Sequence, residues 1–480
     1  MKKIHILAFL VFAFGINRMS AQSFDDFIQS LQVLPIGERQ ASVDSFMTVN
    51  SQFPILEYDT LCHFIYQGDV QGVSVPGDAT GWNPDVDIMV NVEGTDFWYL
   101  SRVYEADARL DYKFVINNTN WVIDPLNPNT VLGGFGPNSE LAMPAYVQPA
   151  EIVYNPGIPH GVIFDTTFYS DFLGNSRTIK VYLPPGYDDD QSNYPLILFH
   201  DGLEYLDLAS ADNVLDYLIN ESLVEPLIGI FVPPVNREPE YAGNLQDEFT
   251  DFIVEELMPW ADERFRTKTS PQFRAVAGAS NGGNIALWLG LQHPEVFGNV
   301  AAYSSNVQSS ISSGLQNGPV LDLKFYLDIG TYDIPALIPL VNDLRDILED
   351  KGYGYEFQEW HEGHSWGNWR AHIDNALQFF FVNPNSVNEQ WTNDNSIRFQ
   401  ISPNPCAGVA IISFHSSLDK EIEIYLYNIK GEKLGEIWKG KTTIPFNEIT
   451  FNTEMLENGI YFVQFISGNQ SVTKKMVVGR

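Results

Sequence analysis

Apolar and polar positions change rhythm three times along the chain. Residues 23–48 carry apolar side chains at helical spacing in FDDFIQSLQ and QASVDSFM, interrupted by Pro35 and Gly37. From Glu57 to about Pro144 the period falls to two, in CHFIYQG, FWYLSRVY and LDYKFVINN, with turns signalled at Gly77-Asp78 and Asn117-Asn118. That texture predicts a small all-β sandwich. Beyond the Pro-containing connector at 148–160, runs such as PLILFHDG, PLIGIFVPP and NVAAYSS alternate with helical patterns at 212–221, 247–263 and 334–350. Runs that are apolar at every position suit strands covered on both faces, so this region predicts a mainly parallel sheet between two helix layers. An Asn-rich, aperiodic stretch follows at 383–395, and period-two segments such as EIEIYLYN and GIYFVQFIS then return as far as Arg480.

One stretch inside the helix-and-strand region carries chemistry. In FRAVAGASNGGNIALWLG an apolar strand pattern meets Gly-Ala-Ser-Asn-Gly-Gly and then a helical pattern, with Gly278 and Gly282 two positions either side of Ser280. A serine at the tip of a tight strand-to-helix turn needs such small neighbours, because the flanking backbones pass too close for a Cβ. The expected fold is therefore an α/β hydrolase over 161–382, flanked by two all-β immunoglobulin-like sandwiches at 56–147 and 396–480. A helical extension occupies 22–55, a linker 383–395, and a cleaved secretory signal 1–21, with Lys2 and Lys3 ahead of ILAFLVFAF and Met19-Ser20-Ala21.

A serine nucleophile needs a base, an acid to orient that base and donors for the oxyanion. In this fold the acid follows the serine and the histidine comes last, each beyond a strand end. Asp333, in the turn after the strand at 324–329, is the expected acid; Asp328 competes but lies within the strand pattern. A helix N-cap is the plainer role for Asp333. Of nine histidines, His361, His364 and His372 follow the last strand pattern, and His364, after Gly363 in a loop, is the expected base. The backbone N–H groups of Asn281 and of Gly202 and Leu203 are the expected oxyanion donors, with His200 and Asp201 shaping the second turn. Arg237, Tyr241 and Trp366 are candidate substrate contacts, although an ion pair with Glu238 or Glu240 suits Arg237 equally. Trp82 and Trp121 are candidate sugar-stacking residues, with packing as the alternative role for both and for Trp98.

Composition narrows the partners. Acidic residues outnumber basic ones 61 to 27, a formal net charge of −34, which repels polyanions and argues against nucleic-acid binding. No stretch after the leader approaches the length of apolar residues that spans a bilayer. The two cysteines, Cys62 and Cys406, fall in separate expected domains, which argues against a disulfide or a metal cluster.

Three resemblances follow from these motifs. Ser280 in GASNGG, Asp333 in GTYD and His364 in EGHSWGNWR resemble the putative-esterase family of α/β-hydrolases, which includes enterochelin esterase-like, feruloyl and acetylxylan esterases; Asn281 stands where many members carry Met. GDATGWNP and WVIDPLNP resemble the early-set sandwich that precedes such enzymes and in some relatives binds glucan. SPNP at 402–405, YNIKG at 427–431, LENGIY at 456–461 and Lys474-Lys475 resemble the type IX secretion sorting domain. The resemblances imply an exported serine esterase that uses an acyl-enzyme, requires no metal or cofactor, engages the type IX secretion machinery and acts on feruloyl or acetyl esters of plant polysaccharide. A siderophore trilactone is the rival substrate, and acyl transfer to a sugar is a third possibility. A surface carbohydrate-binding protein with an inactive core is the reading of another class, against which the intact order Ser280, Asp333, His364 speaks.

Overall fold

The computed structural model describes residues 23–189, 191–383 and, in the C-terminal part, 398–402, 406, 408–415, 421–442, 446–453, 455–467 and 470–479. The expected signal at 1–21 and nearly all of the expected linker lie outside the described residues, as do three residues of the SPNP motif. The chain divides into two compact units, one of residues 1–218 and 226–380, the other of 219–225 and 381–480.

The first unit is built on one eleven-stranded sheet. Its strands in chain order are β1 (Arg109–Tyr112), β2 (Thr130–Gly133), β3 (Gly136–Ala142), β4 (Val162–Ser170), β5 (Asn175–Leu183), β6 (Leu196–His200), β7 (Ile228–Val232), β8 (Arg274–Ala279), β9 (Asn299–Tyr303), β10 (Lys324–Tyr332) and β11 (Gly354–Gly363). In space they run β4-β5-β7-β6-β8-β9-β10-β11-β1-β3-β2. Strands β6 to β11 pair in parallel, and the β4–β5 hairpin closes one side antiparallel. Every residue of β6, β7, β8 and β9 is buried, as their continuous apolar composition requires of strands covered on both faces. Helix Leu337–Lys351 supplies one cover, burying Leu337, Val341, Leu344 and Leu348 at helical spacing and ending on Gly352 at φ 75°.

The strands of residues 56–147, expected as a small all-β sandwich, divide between two small sheets and the large one. Some of their strands form a four-stranded antiparallel sheet and a three-stranded one, with Phe24, Phe27, Ile28 and Leu31 of helix Phe24–Val33 packed beside Ile65 and Phe97. Three others, β1, β2 and β3, extend the large sheet, β1 joining β11 in parallel at Glu362 and Arg109. Period-two patterning sets which face of a strand is apolar and leaves its partner unspecified, so this merger has no signature in the hydrophobic pattern.

In the second unit a three-stranded sheet (Arg398–Ser402, Val409–His415, Phe446–Asn452) and a four-stranded one (Glu421–Asn428, Lys433–Lys441, Gly459–Ser467, Gln470–Val478) share a core that includes Phe399, Ile412, Phe414, Ile424, Val463 and Phe465. Cys62 and Cys406 are both free and buried.

Candidate active site

Ser280 follows β8 and caps the helix Asn281–Gln292 with φ 58° and ψ −121°, a conformation that residues other than glycine rarely adopt. The glycines around it are there for space. A Cβ on Gly278 would lie 2.2 Å from the Gly282 carbonyl oxygen, and one on Gly283 would lie 2.8 Å from Ser305 Oγ. The strain is held by the sheet: Ser280 N–H donates to the Tyr303 carbonyl at 2.9 Å, and Asn284 and Asn306 N–H both donate to the Ser280 carbonyl. Ser280 itself stays partly exposed.

Two strands along the same carboxyl edge, the turn after β10 carries Asp333. Its carboxylate is buried, accepts the Ile334 N–H at 2.6 Å, and lies 2.8 Å from Nδ1 of His364, the residue after β11. An ionised carboxylate can only accept, so in a neutral imidazole this contact places the proton on Nδ1 and the lone pair on Nε2, the tautomer a general base requires. The His364 ring stands edge-on to Trp369 at 5.0 Å, and Trp369 edge-on to Trp366.

The competing residues have other partners. Asp328 is buried inside β10, accepts the Ser304 N–H at 3.1 Å, and is pushed by burial up to about 7. His361 Nδ1 lies 2.7 Å from Asp107, while His372 Nε2 lies 2.7 Å from Glu362 with its ring stacked on Trp360. Sequence distance barely separates these histidines. Their carboxylate partners do.

Asp201, at φ 54°, turns the chain after β6 into helix Gly202–Asp207, and a Cβ on Gly202 would lie 2.2 Å from Val232 N. Gly202, Leu203 and Asn281 all occupy first helical turns, where backbone N–H groups lack an intrahelical acceptor. Arg237 links the two turns: it donates to both Asp201 oxygens at 2.8 and 2.7 Å and to the carbonyl of Ala279, the residue before Ser280. Neither Glu238 nor Glu240 is its partner. Glu240 pairs instead with buried Arg177 at 2.9 Å and accepts the Val235 and Asn236 N–H groups, which pins the loop after β7. Tyr241 is fully buried, its hydroxyl accepting the Asp201 N–H at 2.9 Å, so it supports the turn from behind and does not reach the surface. His200, enclosed beside Tyr241 and Phe249, is lowered by burial and then by Arg237 to about 3 and stays neutral.

Trp366 is 8% exposed and stands edge-on to Tyr205, which makes it mainly a packing residue. Trp82 is half-buried with its indole N–H donated to Asp78, Trp98 donates to the Gly68 carbonyl, and Trp121 is 45% exposed. Sequence reasoning missed Arg177 and the part played by Asp201. It also missed Arg109, a charged residue in a strand pattern whose only signal was that it shares alternate positions with Asp111.

This arrangement has relatives. Residues 170–380 match the family model described as Putative esterase, and residues 400–479 match the Secretion system C-terminal sorting domain. An uncharacterized protein, YjcH, of Bacillus subtilis is 27% identical over 46% of this chain and 97% of its own length. An endo-1,4-beta-xylanase/feruloyl esterase of Xylanibacter ruminicola is 30% identical over 30% of this chain and 22% of its own length. The solved ferric enterobactin esterase of Salmonella typhimurium superimposes on 70% of this chain and 98% of its own, at a TM-score of 0.60 and 20% identity, a likeness of fold. The sorting domain places the protein among secreted or cell-surface proteins. Among the described residues no helix is long and apolar enough to cross a membrane.

Proposed function

We propose that the protein is a serine carboxylic-ester hydrolase in which Ser280 attacks the ester carbonyl, His364 takes and returns the proton, and Asp333 fixes the imidazole. The observation that carries this reading is the hydrogen bond between buried Asp333 and partly buried His364 at the same sheet edge as the strained Ser280. Proton removal by Nε2 makes the imidazole cationic, and the adjacent Asp333 carboxylate stabilises that cation. The developing oxyanion is met by the N–H groups of Asn281 and of Gly202 or Leu203, held in register by the Asp201–Arg237 pair. Loss of the alcohol leaves an acyl-Ser280, which water releases by the same proton path in reverse.

Acyl esters of plant polysaccharide, feruloyl or acetyl, are the substrates this reading favours, since a sorting domain delivers the enzyme to where such polymers are met. A catecholate trilactone is a second substrate reading. It is supported by the shared fold with an enterobactin esterase, which extends beyond the catalytic core to 70% of the chain.

Burst kinetics with 4-nitrophenyl acetate test the chemistry. Wild type should show a burst equal to enzyme concentration, and Ser280→Ala should lose turnover by about 10⁴-fold or more. Hydrolysis that survives in Ser280→Ala sinks the mechanism. Methyl ferulate, acetylated xylan and a catecholate trilactone, compared by kcat/KM, then separate the substrate readings.

A further inference from the structure

The residues on both sides of His364 are gripped by the N-terminal part of the chain. Before it, Gly363 lies so close to Asp78 that a Cβ would sit 2.1 Å from the carboxyl carbon. Asp78 is itself fixed, accepting the Asp111 N–H at 2.7 Å and the Trp82 indole N–H at 3.1 Å. After it, Ser365 Oγ accepts Nη1 of Arg109 at 3.3 Å and the Asn368 N–H at 3.4 Å, capping the helix Trp366–Arg370. A Cβ on Gly367 would lie 2.0 Å from the same Nη1.

Arg109 is wholly buried, 2.6 Å from Asp111 and 2.8 Å from Glu140, and Glu140 also receives Arg370 at 3.1 Å. Further out, Tyr332 donates to Glu105 at 2.6 Å and His361 lies 2.7 Å from Asp107. A guanidinium buried among carboxylates is costly unless its geometry is satisfied, so such a network tolerates few alternative arrangements of the loop bound to it. Lysine would not substitute, because a point charge cannot serve Glu140, Asp111 and Ser365 from one planar fork.

We infer that the N-terminal module is a positioning device for the catalytic base, with Arg109 and Asp78 holding the two residues that flank His364. This rests on the reading of His364 as the base. Arg109 and Asp78 are positioning residues; neither meets the substrate. Their effect is on the geometry in which the imidazole is presented to Ser280, and a displacement of about 1 Å in such an element costs about 100-fold in rate.

The test uses the full chain carrying Arg109→Lys, Asp78→Asn or Ser365→Ala. Arg274→Lys serves as a control, replacing a buried arginine paired with Asp262 at the opposite end of the sheet. Each folded variant of the first three should lose about 10- to 100-fold in kcat on 4-nitrophenyl acetate with KM changed less than about two-fold. Phosphonylation of Ser280 should slow in parallel, and the downfield Nδ1–H proton resonance of the Asp333–His364 pair should shift or broaden. Arg274→Lys should leave kcat and that resonance as in wild type. If Arg109→Lys fails to fold, Asp78→Asn and Ser365→Ala decide.

Wild-type kcat and an unmoved resonance in the folded variants would overturn the inference, as would a loss that Arg274→Lys reproduces at an equal fall in melting temperature. Activity surviving in Ser280→Ala or His364→Ala would instead overturn the catalytic reading beneath it, so the two failures are told apart.

Discussion

Residues 56–147 and 396–480 lie either side of the parallel core in sequence with the same alternating texture, yet their strands keep different company. In the first, β1, β2 and β3 continue the large sheet, and the seam holds Arg109 buried among Asp111 and Glu140. In the second, the described strands pair with one another, and a charge pair such as Lys439 with Glu423 is partly open to solvent. Alternation thus specifies a strand with one apolar face and leaves open whether that strand belongs to its neighbours in sequence or to a distant sheet.

The most drastic way to break this comparison is removal of residues 23–147. It strips β1 from β11 and leaves Glu362 and Gly363 without their cover, so ester hydrolysis should fall at least about 100-fold, read as kcat on 4-nitrophenyl acetate. Retained turnover would mean that the merged sheet is incidental. A finer probe is Arg109→Met, which leaves Asp111 buried without its cation and Glu140 with Arg370 alone, and should cost about 3–5 kcal/mol in urea unfolding. Lys439→Met, its counterpart in the other flank, should leave the unfolding midpoint where it was, since solvent replaces the exposed pair.

On the core side of the seam, Asp328 gives a pH signature of the opposite sense to a salt bridge. Its folded carboxyl is raised by burial to about 7, above the ordinary aspartate value, so the folded state holds a proton that the unfolded state has lost. Stability conferred by that proton is complete below the unfolded pKa and is lost as pH rises through about 7. Asp328→Asn should therefore flatten the decline in melting temperature between about pH 4 and 7 and raise it above wild type at pH 8. Smallest of all should be the effect of ending the chain after Asn383, which removes most of the second unit while leaving residues 170–380 whole; kcat should stay within about two-fold.

Much of the site was legible because its requirements are local. Gly278 and Gly282 announce a tight turn whatever surrounds it, and the strands that follow bring candidate loops to the same edge. What the chain does not display is pairing. Three histidines within twelve residues all find carboxylates, and only coordinates tell that Asp333 serves His364, Glu362 serves His372 and Asp107 serves His361. Arg237 stands beside two glutamates yet reaches back to Asp201, because the loop after β7 turns its guanidinium toward the elbow. Tyr241, expected among substrate contacts, points inward for the same reason.

By itself, then, the order of residues determined the strand-turn-helix around Ser280, the parallel core and the alternating strands of the C-terminal stretch, since backbone sterics and hydrophobic period act over a few neighbouring positions. Only the tertiary structure decided which carboxylate each histidine holds and that the N-terminal strands merge with the core sheet. Those choices turn on burial, charge pairing and hydrogen bonding between residues up to 256 positions apart, as in the hydrogen bond from Arg109 to Ser365, and no local pattern encodes the distance across which they meet.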